Sequence, residues 1–370
     1  MIENKKKVVA VGMSGGVDST MAAFLLRKEG FEVIGLTMSI WDDSINIKGS
    51  KSGCFGPNEW EDLDSARRAA QKLDIRHYVI DLRKPYQETV IEYFRQEYLK
   101  GKTPNPCVVC NARIKFGMFL EKALSCGIVF DSFATGHYAR VEYDSLNKIY
   151  LLKRGIDEIK DQSYFLYRLS QDQLGRILFP LGRFRKDEVK AMAKEAGFDE
   201  ILKRPESQDF FECDDYGVLL KTTDKPGNIL DMNGKVIGEH RGIAHYTVGQ
   251  RKMLNLSGLK EPFYVLTIDA GRNEITAGPK KDLFQDSLIA ERLHWIVPFH
   301  SIQKRKLQAQ IRYRSKPAEC LLCPAEEQTV KVKFISPQEA ITPGQSIVFF
   351  EGDTVLGGGI IQRVLKKSEN

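Results

Sequence analysis

Long apolar runs and dense sets of cysteine or proline are both missing from this chain of 370 residues. No stretch approaches the roughly 18 consecutive apolar residues of a membrane-spanning helix. Residues 2–7 are polar and basic, unlike the apolar core of a signal peptide. Seven cysteines and 14 prolines are too few for a disulfide-stapled mini-protein or a proline-rich disordered chain. These absences predict a globular protein of the cytoplasm with no membrane partner.

A large charge excess is also missing. Lys and Arg total 55 and Asp and Glu total 49, so the formal net charge is +6. Such a small excess is compatible with a polyanionic partner but does not by itself indicate one. At roughly 100 to 200 residues per domain, the length predicts two or three domains.

The first half of the chain alternates short apolar runs with helical patterns. Runs typical of buried strands occupy 7–13, 31–40, 77–82 and 128–139, and helical patterns lie between them, including 60–73 and 86–98. Strands that alternate with helices favour a doubly wound parallel sheet, so we expect an α/β domain here.

The second half of the chain has a different residue pattern. Gly, Asp and Asn punctuate short apolar runs after about residue 206, and from about residue 285 apolar and polar residues alternate, as at Leu307, Ala309 and Ile311. This alternation is typical of half-buried strands. We expect three domains: an α/β domain over 1–205, a small central domain over 206–284, and a C-terminal β-barrel-like domain over 285–370.

A glycine-rich segment follows the first predicted strand and opens the first predicted helix. Its residues are Gly12, Met13, Ser14, Gly15, Gly16, Val17, Asp18 and Ser19. Glycines let the backbone approach a ligand, and the N–H groups at a helix start attract phosphate. The segment is neither a Walker A loop nor a dinucleotide fingerprint. We expect it to bind a nucleotide, with Asp18 holding Mg²⁺ between phosphates.

Cys107 and Cys110 form a Cys-x2-Cys pair on a proline-stiffened loop before a helix. Two interpretations stay open at this point. The pair is half of a metal site, which Cys320 and Cys323 would complete as a structural zinc site, or one thiol is a nucleophile whose thiolate is favoured by basic neighbours such as Arg113.

Ser14–Ser19 resembles the PP-loop of ATP pyrophosphatases, which transfer AMP to a carbonyl oxygen and release pyrophosphate. The resemblance implies that Met38 and Gly136, at the ends of two later strands, frame the adenine and ribose of ATP. We expect the neighbouring His137 to pack or hydrogen-bond rather than to act as an acid or base.

Further segments extend this resemblance along nearly the whole chain. They are Thr103–Pro106, Cys110–Asn111, Ile114–Phe116, Thr135–Arg140, Lys160–Phe165, Pro180–Gly182, Glu206–Gln208, Tyr246–Lys252 and Ile311–Arg314. Together with the PP-loop they resemble the tRNA-specific 2-thiouridylase family. Enzymes of that family use ATP to adenylate the C2 oxygen of the wobble uridine, position 34 of tRNA, and replace it with sulfur, giving 2-thiouridine, AMP and pyrophosphate.

The resemblance assigns roles to particular residues. It makes Cys110 the nucleophile and places Asn105, Pro106 and Cys107 beside the target base. The residues that it implies for contact with tRNA are Lys160, Asp161, Gln162, Arg312 and Tyr313. If a regular strand continued through 313, Arg312 and Tyr313 would face opposite ways.

Two positions depart from the family pattern. Cys107 stands where most members have aspartate, and the second family cysteine, normally two residues after Ser-Gln-Asp, is displaced to Cys213. One prediction is a persulfide on Cys110 with Cys213 as its disulfide partner. The other is a 4Fe-4S cluster held by Cys107, Cys110 and Cys213.

The sulfur donor would be a cysteine desulfurase relay or sulfide. Two other functions stay open from the sequence: a PP-loop synthetase that adenylates a small carbonyl substrate, and a non-catalytic iron–sulfur or RNA-binding protein.

Overall fold

The computed structural model describes residues 6–42, 45, 52–206, 209–213, 216–220, 225–259, 261–302, 305–325 and 328–365. The strands are β1 (Val8–Gly12), β2 (Glu32–Ser39), β3 (Gly53–Phe55), β4 (Arg76–Asp81), β5 (Ser132–Ala134), β6 (Ala139–Asp144), β7 (Ile149–Arg154), β8 (Ile177–Leu178), β9 (Asp209–Phe211), β10 (Gly227–Leu230), β11 (Val236–His240), β12 (Phe263–Asp269), β13 (Glu274–Pro279), β14 (Phe284–Trp295), β15 (Lys306–Gln310), β16 (Ala318–Pro324), β17 (Val330–Glu339), β18 (Ser346–Glu351) and β19 (Thr354–Val364). The α-helices are α1 (Val17–Lys28), α2 (Glu59–Lys72), α3 (Arg83–Tyr86), α4 (Glu92–Leu99), α5 (Pro106–Val109), α6 (Phe119–Ser125), α7 (Gln171–Leu174), α8 (Lys186–Glu195), α9 (Asp199–Leu202) and α10 (Gly217–Leu220).

The described residues form two compact units. The first falls within Met1–Thr89, Cys107–Asp214 and Asp353–Val355, and the second within Val90–Pro106, Asp215–Gly352 and Leu356–Asn370. None of the helices in the described parts of the chain is long and apolar enough to cross a bilayer.

The first unit contains a five-stranded parallel sheet in the order β4-β2-β1-β5-β8. Strand β1 is central and its middle residues are buried, as the apolar run Val8–Gly12 predicts. Val9 and Val11 pack with Met21 and Leu26 of α1 in one core cluster. The predicted parallel α/β sheet is therefore confirmed.

Two predicted elements of this unit differ in the structure. The strand expected over 128–139 is limited to β5, because the chain then leaves the sheet to bring Gly136 against the glycine-rich loop. The helix expected over 86–98 is divided among α3, a π-helical segment over Gln87–Ile91, and α4.

The second unit contains two β structures. Strands β10 to β13 form a four-stranded sheet in the order β11-β10-β13-β12. Strands β14, β17, β16, β15, β18 and β19 follow one another as neighbours, and pairing of β14 with β19 closes them into a six-stranded barrel. Apolar side chains such as Leu307 and Phe349 fill the barrel core. The predicted C-terminal barrel is confirmed.

The polypeptide turns just before Arg312 and Tyr313 instead of continuing as a strand. Strand β15 ends at Gln310, whose Nε2 donates to the backbone oxygens of Tyr313 at 2.6 Å and Ser315 at 3.0 Å. Both residues lie in this turn, so no regular strand continues through 313, and the condition under which they would face opposite ways is not met.

Candidate active site

The glycine-rich loop is held in one shape by short polar contacts between β1 and α1. The Ser14 backbone N–H donates to Ser19 Oγ at 3.1 Å, and Ser19 Oγ donates to the Gly16 carbonyl at 3.1 Å. Gly15 has φ +74°, and a Cβ there would lie 2.6 Å from the carbonyl oxygen of Asp62. A side chain at residue 15 would therefore break the loop, which opens at the start of a twelve-residue helix suited to an anion.

The structure brings Gly136 to this loop, as expected. A Cβ on Gly136 would lie 2.6 Å from the carbonyl carbon of Asp18 and 2.7 Å from the backbone nitrogen of Ser19. Met38 is half-buried near the carboxyl end of β2, beside β1 in the sheet. The backbone that follows it is fixed by the Glu59 carboxylate, which accepts from the N–H groups of Ile40 and Trp41 at 2.6 and 2.9 Å.

Asp18 belongs to an ion-pair network that sequence patterns did not reveal. Lys186 Nζ, on a side chain only 8% exposed, lies 2.8 and 2.7 Å from the two carboxylate oxygens of Asp18. The Tyr138 hydroxyl donates to Asp18 at 2.9 Å, and Lys186 also lies 3.3 Å from Glu206. Burial opposes charge on Glu206, but hydrogen bonds and charges from Lys160, Lys186 and Lys190 lower its pKa to about 2.

This arrangement does not fit a magnesium ion on Asp18. Both of its carboxylate oxygens accept from the Lys186 ammonium, so the charge that would attract Mg²⁺ is already neutralised. No set of three or more acidic, histidine or cysteine side chains in the described ranges is arranged to hold a metal. The expected role of Asp18 as a metal ligand has no support in this geometry.

Cys107 and Cys110 lie at the junction of α5 with a π-helical segment over Cys110–Met118. The wider helix frees carbonyl groups, and Gln173 Nε2 satisfies two of them, at Ala112 (3.2 Å) and Phe116 (2.7 Å). Asn111 Nδ2 donates to the Phe165 carbonyl at 3.2 Å. These bonds fix the helix on which Cys110 stands.

A third thiol, Cys54, interacts with this pair. Its surface is open to solvent, yet dense surrounding protein raises its pKa well above the ordinary thiol value, and the charges of Cys107 and Cys110 add to the shift. Burial and the Cys110 charge raise the pKa of Cys107 to about 12, and burial raises that of Cys110. All three thiols are therefore neutral at pH 7, and Lys115 is the cation that favours their thiolates.

Arg113, the basic neighbour expected from the sequence, is exposed and is not among the main charges acting on these thiols. Lys115, two residues further along the same helix, is instead the cation that lowers the pKa values of these thiols.

Cys213 is half-buried, and none of the main charges acting on the other three thiols comes from it. Because the described residues hold no thiol set arranged for a metal, the cluster on Cys107, Cys110 and Cys213 stays a prediction without geometric support. Ser207 and Gln208, which precede the displaced cysteine, lie outside the described residues.

The segment expected to contact tRNA over 160–162 has internal partners. Lys160 Nζ lies 2.7 Å from Glu206, and Asp161 accepts from the backbone N–H groups of Gly155 and Ser163. Gln162 Oε1 accepts from the Tyr138 N–H at 3.0 Å. These contacts support the tyrosine that bonds Asp18, while a role of these side chains in tRNA binding stays a prediction.

Of the other residues expected to contact tRNA, Asn105, Pro106, Arg312 and Tyr313 lie in the second unit. Asn105 and Pro106 are buried, and Gln345 Nε2 donates to the carbonyls of Thr103 and Pro104 just before them. Arg312 donates to the carbonyls of Val248 at 3.0 Å and Ala340 at 2.9 Å. Arg312 therefore ties segments of this unit together through its guanidinium.

Two further expectations were tested by burial. Cys320 is buried in the barrel core and Cys323 is exposed on the same strand, so the two side chains do not converge on one metal, and the zinc interpretation is wrong.

His137 forms a hydrogen bond between its Nδ1 and Thr135 Oγ1 at 2.6 Å, and its ring packs on Phe116 and Phe179. Burial lowers its pKa well below the usual value, which agrees with the expected structural role.

Three residues of this site were missed from the sequence: Cys54, Tyr138 and Lys186. The one local signal was the pair of glycines, Gly53 and Gly56, that flanks Cys54–Phe55. Gly53 lies against the backbone of Phe211, and Gly56 lies against the side chain of Glu212. Neither position has room for a Cβ atom. Such flanking glycines mark a segment that another backbone approaches.

Comparisons with known proteins cover most of the chain. Family models match three consecutive segments: a tRNA methyl transferase HUP domain over 7–213, a tRNA methyl transferase PRC-barrel domain over 219–279, and an aminomethyltransferase beta-barrel domain over 285–361.

Three relatives that match over nearly the full length are named as tRNA-specific 2-thiouridylases. The tRNA-specific 2-thiouridylase MnmA 2 of a Thermoanaerobacter species is 48% identical over 97% of this chain and 98% of its own. The enzymes named MnmA of Endomicrobium trichonymphae and Acetivibrio thermocellus are each 46% identical, over 97% and 96% of this chain and 100% and 99% of theirs. This chain belongs to the family of MnmA tRNA-specific 2-thiouridylases.

Proposed function

We propose that this protein is an ATP-dependent tRNA-uridine 2-sulfurtransferase. The C2 oxygen of the wobble uridine attacks the α-phosphorus of ATP, and pyrophosphate leaves with its bonding electrons. A sulfur carried as a persulfide on Cys110 then attacks C2, and AMP leaves. Membership in the 2-thiouridylase family supports the tRNA substrate, and the loop and thiols support the two chemical stages.

The observation that carries the proposal is that one rigid connection joins the two sites. Gly136 packs its backbone directly on Asp18 and Ser19 of the loop. The next residue, His137, packs its ring 5.9 Å from that of Phe116, on the helix that begins at Cys110. A base adenylated at the loop would therefore be processed on the same scaffold that bears the thiols, which favours positioning as the main source of catalysis.

We propose the persulfide carrier rather than the iron–sulfur cluster because no three acidic, histidine or cysteine side chains among the described residues are grouped to hold a metal. The donor that loads Cys110 is a cysteine desulfurase relay or, in a simpler reaction, sulfide with an oxidant. No feature of the site favours a small carbonyl substrate or a non-catalytic role over tRNA thiolation.

The test uses purified protein, ATP, a persulfide donor, and tRNA with an unmodified wobble uridine. We expect AMP and 2-thiouridine in equal amounts, and neither product with the same tRNA bearing cytidine at the wobble position. Cys110→Ser should still release pyrophosphate from ATP in the presence of tRNA and leave AMP bonded to the base, but it should form neither free AMP nor 2-thiouridine. Cys126→Ser, at an exposed thiol of the same unit, should match the unchanged protein.

Failure to release AMP with the uridine tRNA would contradict the proposal. AMP formation that needs a small carbonyl compound and ignores tRNA would support the synthetase alternative. Binding of tRNA without pyrophosphate release would support the non-catalytic alternative.

A further inference from the structure

The segment 102–106, which leads into the helix that bears the thiols, is held by residues of the C-terminal barrel in the same unit. We propose that Gln345 is a positioning residue for sulfur transfer, because its side-chain amide fixes the backbone from which α5 begins. This inference rests on the proposed function and adds to it a residue that the sequence did not single out.

Four hydrogen bonds meet at two consecutive residues of this segment. Gln345 Nε2 donates to the carbonyl oxygens of Thr103 at 2.9 Å and Pro104 at 3.2 Å. The Thr103 backbone N–H donates to the Pro343 carbonyl at 2.9 Å. The Thr103 hydroxyl donates to Thr247 Oγ1 at 3.2 Å. One amide therefore supplies two of the four bonds that hold the backbone of Thr103 and Pro104.

The connection between β17 and β18 lies directly against this segment. Gly344 has φ +92°, and a Cβ there would lie 2.9 Å from both the backbone nitrogen and the carbonyl oxygen of Thr103. Lys102 Nζ lies 3.4 Å from Glu291 Oε1, and the other oxygen of that carboxylate accepts from Gln362 Nε2 at 2.9 Å. The segment therefore has no room to shift toward this connection.

The backbone of Gln345 is fixed as well. Its N–H donates to the Thr342 carbonyl at 3.2 Å, and its carbonyl oxygen accepts from the Ile361 N–H at 2.8 Å. Thr342 is buried, and its Oγ1 accepts from the Arg312 guanidinium. Because the backbone on which it stands is bonded in this way, the Gln345 amide is presented at one place, as a positioning group requires.

Two prolines transmit this position to the helix. Pro104 and Pro106 fix the φ angles on either side of Asn105, which is buried, and Pro106 is the first residue of α5. Cys107 is the next residue of α5, and Cys110 begins the π-helical segment that continues it. Few free rotations lie between Pro104 and these thiols, so a shift at Pro104 moves the start of the helix that bears them.

Sulfur transfer is the stage that needs this precision. The attacking sulfur must come within roughly 3 to 3.5 Å of C2, and a misplacement of about 1 Å can slow such a step by about 100-fold. Adenylation takes place at the glycine-rich loop, which contains no residue of the segment 102–106. Loss of the Gln345 amide should therefore slow the second chemical stage and spare the first.

The experiment follows both stages in one turnover of persulfide-loaded protein, in excess over uridine tRNA, with ATP and a dithiothreitol quench. In Gln345→Leu, formation of 2-thiouridine should slow by about tenfold or more. Pyrophosphate release and the Kd for tRNA should stay within about twofold of the unchanged protein. Gln345→Glu keeps the shape of the side chain, but its carboxylate cannot donate at pH 7, so it should slow the same stage at least as much.

Gln338→Leu is the matched control. Gln338 Nε2 donates to the Ser336 carbonyl at 2.7 Å, within strand β17, so this variant removes an amide of the same kind outside the connection that holds Thr103. It should match the unchanged protein in both stages. Hydrogen exchange needs no turnover, and peptides that cover 102–109 should exchange about tenfold faster in Gln345→Leu and at an unchanged rate in Gln338→Leu.

Thr103 provides a second test on the other side of the contact. Thr103→Val removes the hydroxyl that bonds Thr247 and keeps the carbonyl that Gln345 bonds, so 2-thiouridine formation should slow by only about threefold. Thr103→Ser keeps the hydroxyl and should restore the rate of the unchanged protein.

The inference is overturned if Gln345→Leu forms 2-thiouridine at the unchanged rate, or if both stages slow equally. A slowing that saturating tRNA removes would also overturn it, because Gln345 would then act in tRNA binding. Unchanged hydrogen exchange over 102–109 would mean that Gln345 does not hold the segment. If the unchanged protein releases no pyrophosphate with uridine tRNA, the proposed function itself fails, and faster exchange in Gln345→Leu would then leave only the structural contact standing.

Discussion

The glycine-rich loop and the thiol site lie in the same unit but are built on opposite principles. The loop is polar, and its Asp18 carboxylate is already met by Lys186 and Tyr138. The thiol site is desolvated, and its sulfurs are kept neutral. A preformed polar site is ready for a charged ligand, whereas a desolvated thiol site gains its charge only when the reaction supplies a partner. The two sites therefore differ in when they carry charge: the loop carries it before a ligand binds, and the thiols gain it during the reaction.

Removing the buried lysine that bonds Asp18 should have the largest effect on stability and on AMP formation. Lys186→Met would leave the Asp18 carboxylate with only the Tyr138 hydroxyl among its described partners, and we expect the free energy of unfolding in urea to fall by about 3 kcal/mol. AMP formation should fall by about 100-fold or more, because the first turn of α1 loses its anchor. The alkylation rate of Cys110 should be unchanged.

Lys190→Met is the matched control. Lys190 lies on the same helix and 3.1 Å from Glu206, but its side chain is 50% exposed. We expect a loss of about 0.5 kcal/mol or less, since exposed ion pairs contribute little. Equal losses in the two variants would mean that the network is not anchored by its buried lysine.

A smaller effect should follow from changing the charge at the thiol site. Lys115 favours the thiolates of Cys54, Cys107 and Cys110, so Lys115→Met should raise their pKa values further. At pH 8 the thiolate fraction would fall, and alkylation of Cys110 by iodoacetamide should slow by about three- to tenfold. The pH profile of alkylation should move to higher pH.

Arg113→Met tests whether this effect belongs to one position. Arg113 is exposed on the same helix, and its removal should leave the alkylation rate of Cys110 within about twofold. An equal decrease in both variants would show that general positive charge, rather than Lys115, governs the thiols.

The same contrast explains what the sequence could predict. The loop lies within eight consecutive residues that span the end of β1 and the start of α1, so its shape follows from local glycine and hydroxyl patterns. Cys54 meets a carbonyl 156 residues away, and Asp18 meets a lysine 168 residues away. No local pattern contains such pairings. The sequence therefore drew attention to Cys213, which lies near a motif of the family, and gave no reason to single out Cys54, whose contacts depend on the fold.

The smallest effect concerns Glu206, at the outer end of the polar network. Its folded pKa of about 2 is below the ordinary 4.5, so the carboxylate stabilises the folded state fully above pH 4.5, and this contribution is lost as pH falls toward 2. We expect Glu206→Gln to lower the free energy of unfolding by about 1 kcal/mol at pH 7, because the side chain is 36% exposed and its ion pairs are screened.

The pH dependence decides whether that loss is electrostatic. Urea titrations of the two proteins from pH 7 to pH 3 should show a constant difference down to about pH 5 and a shrinking one below it. Glu88→Gln, at an exposed pair 3.9 Å from Lys84, should change stability by about 0.3 kcal/mol or less throughout. If the difference in the free energy of unfolding between the two proteins stays constant to pH 3, packing rather than charge holds Glu206 in place. The polar network would then depend less on charge, and it would differ less from the neutral thiol site.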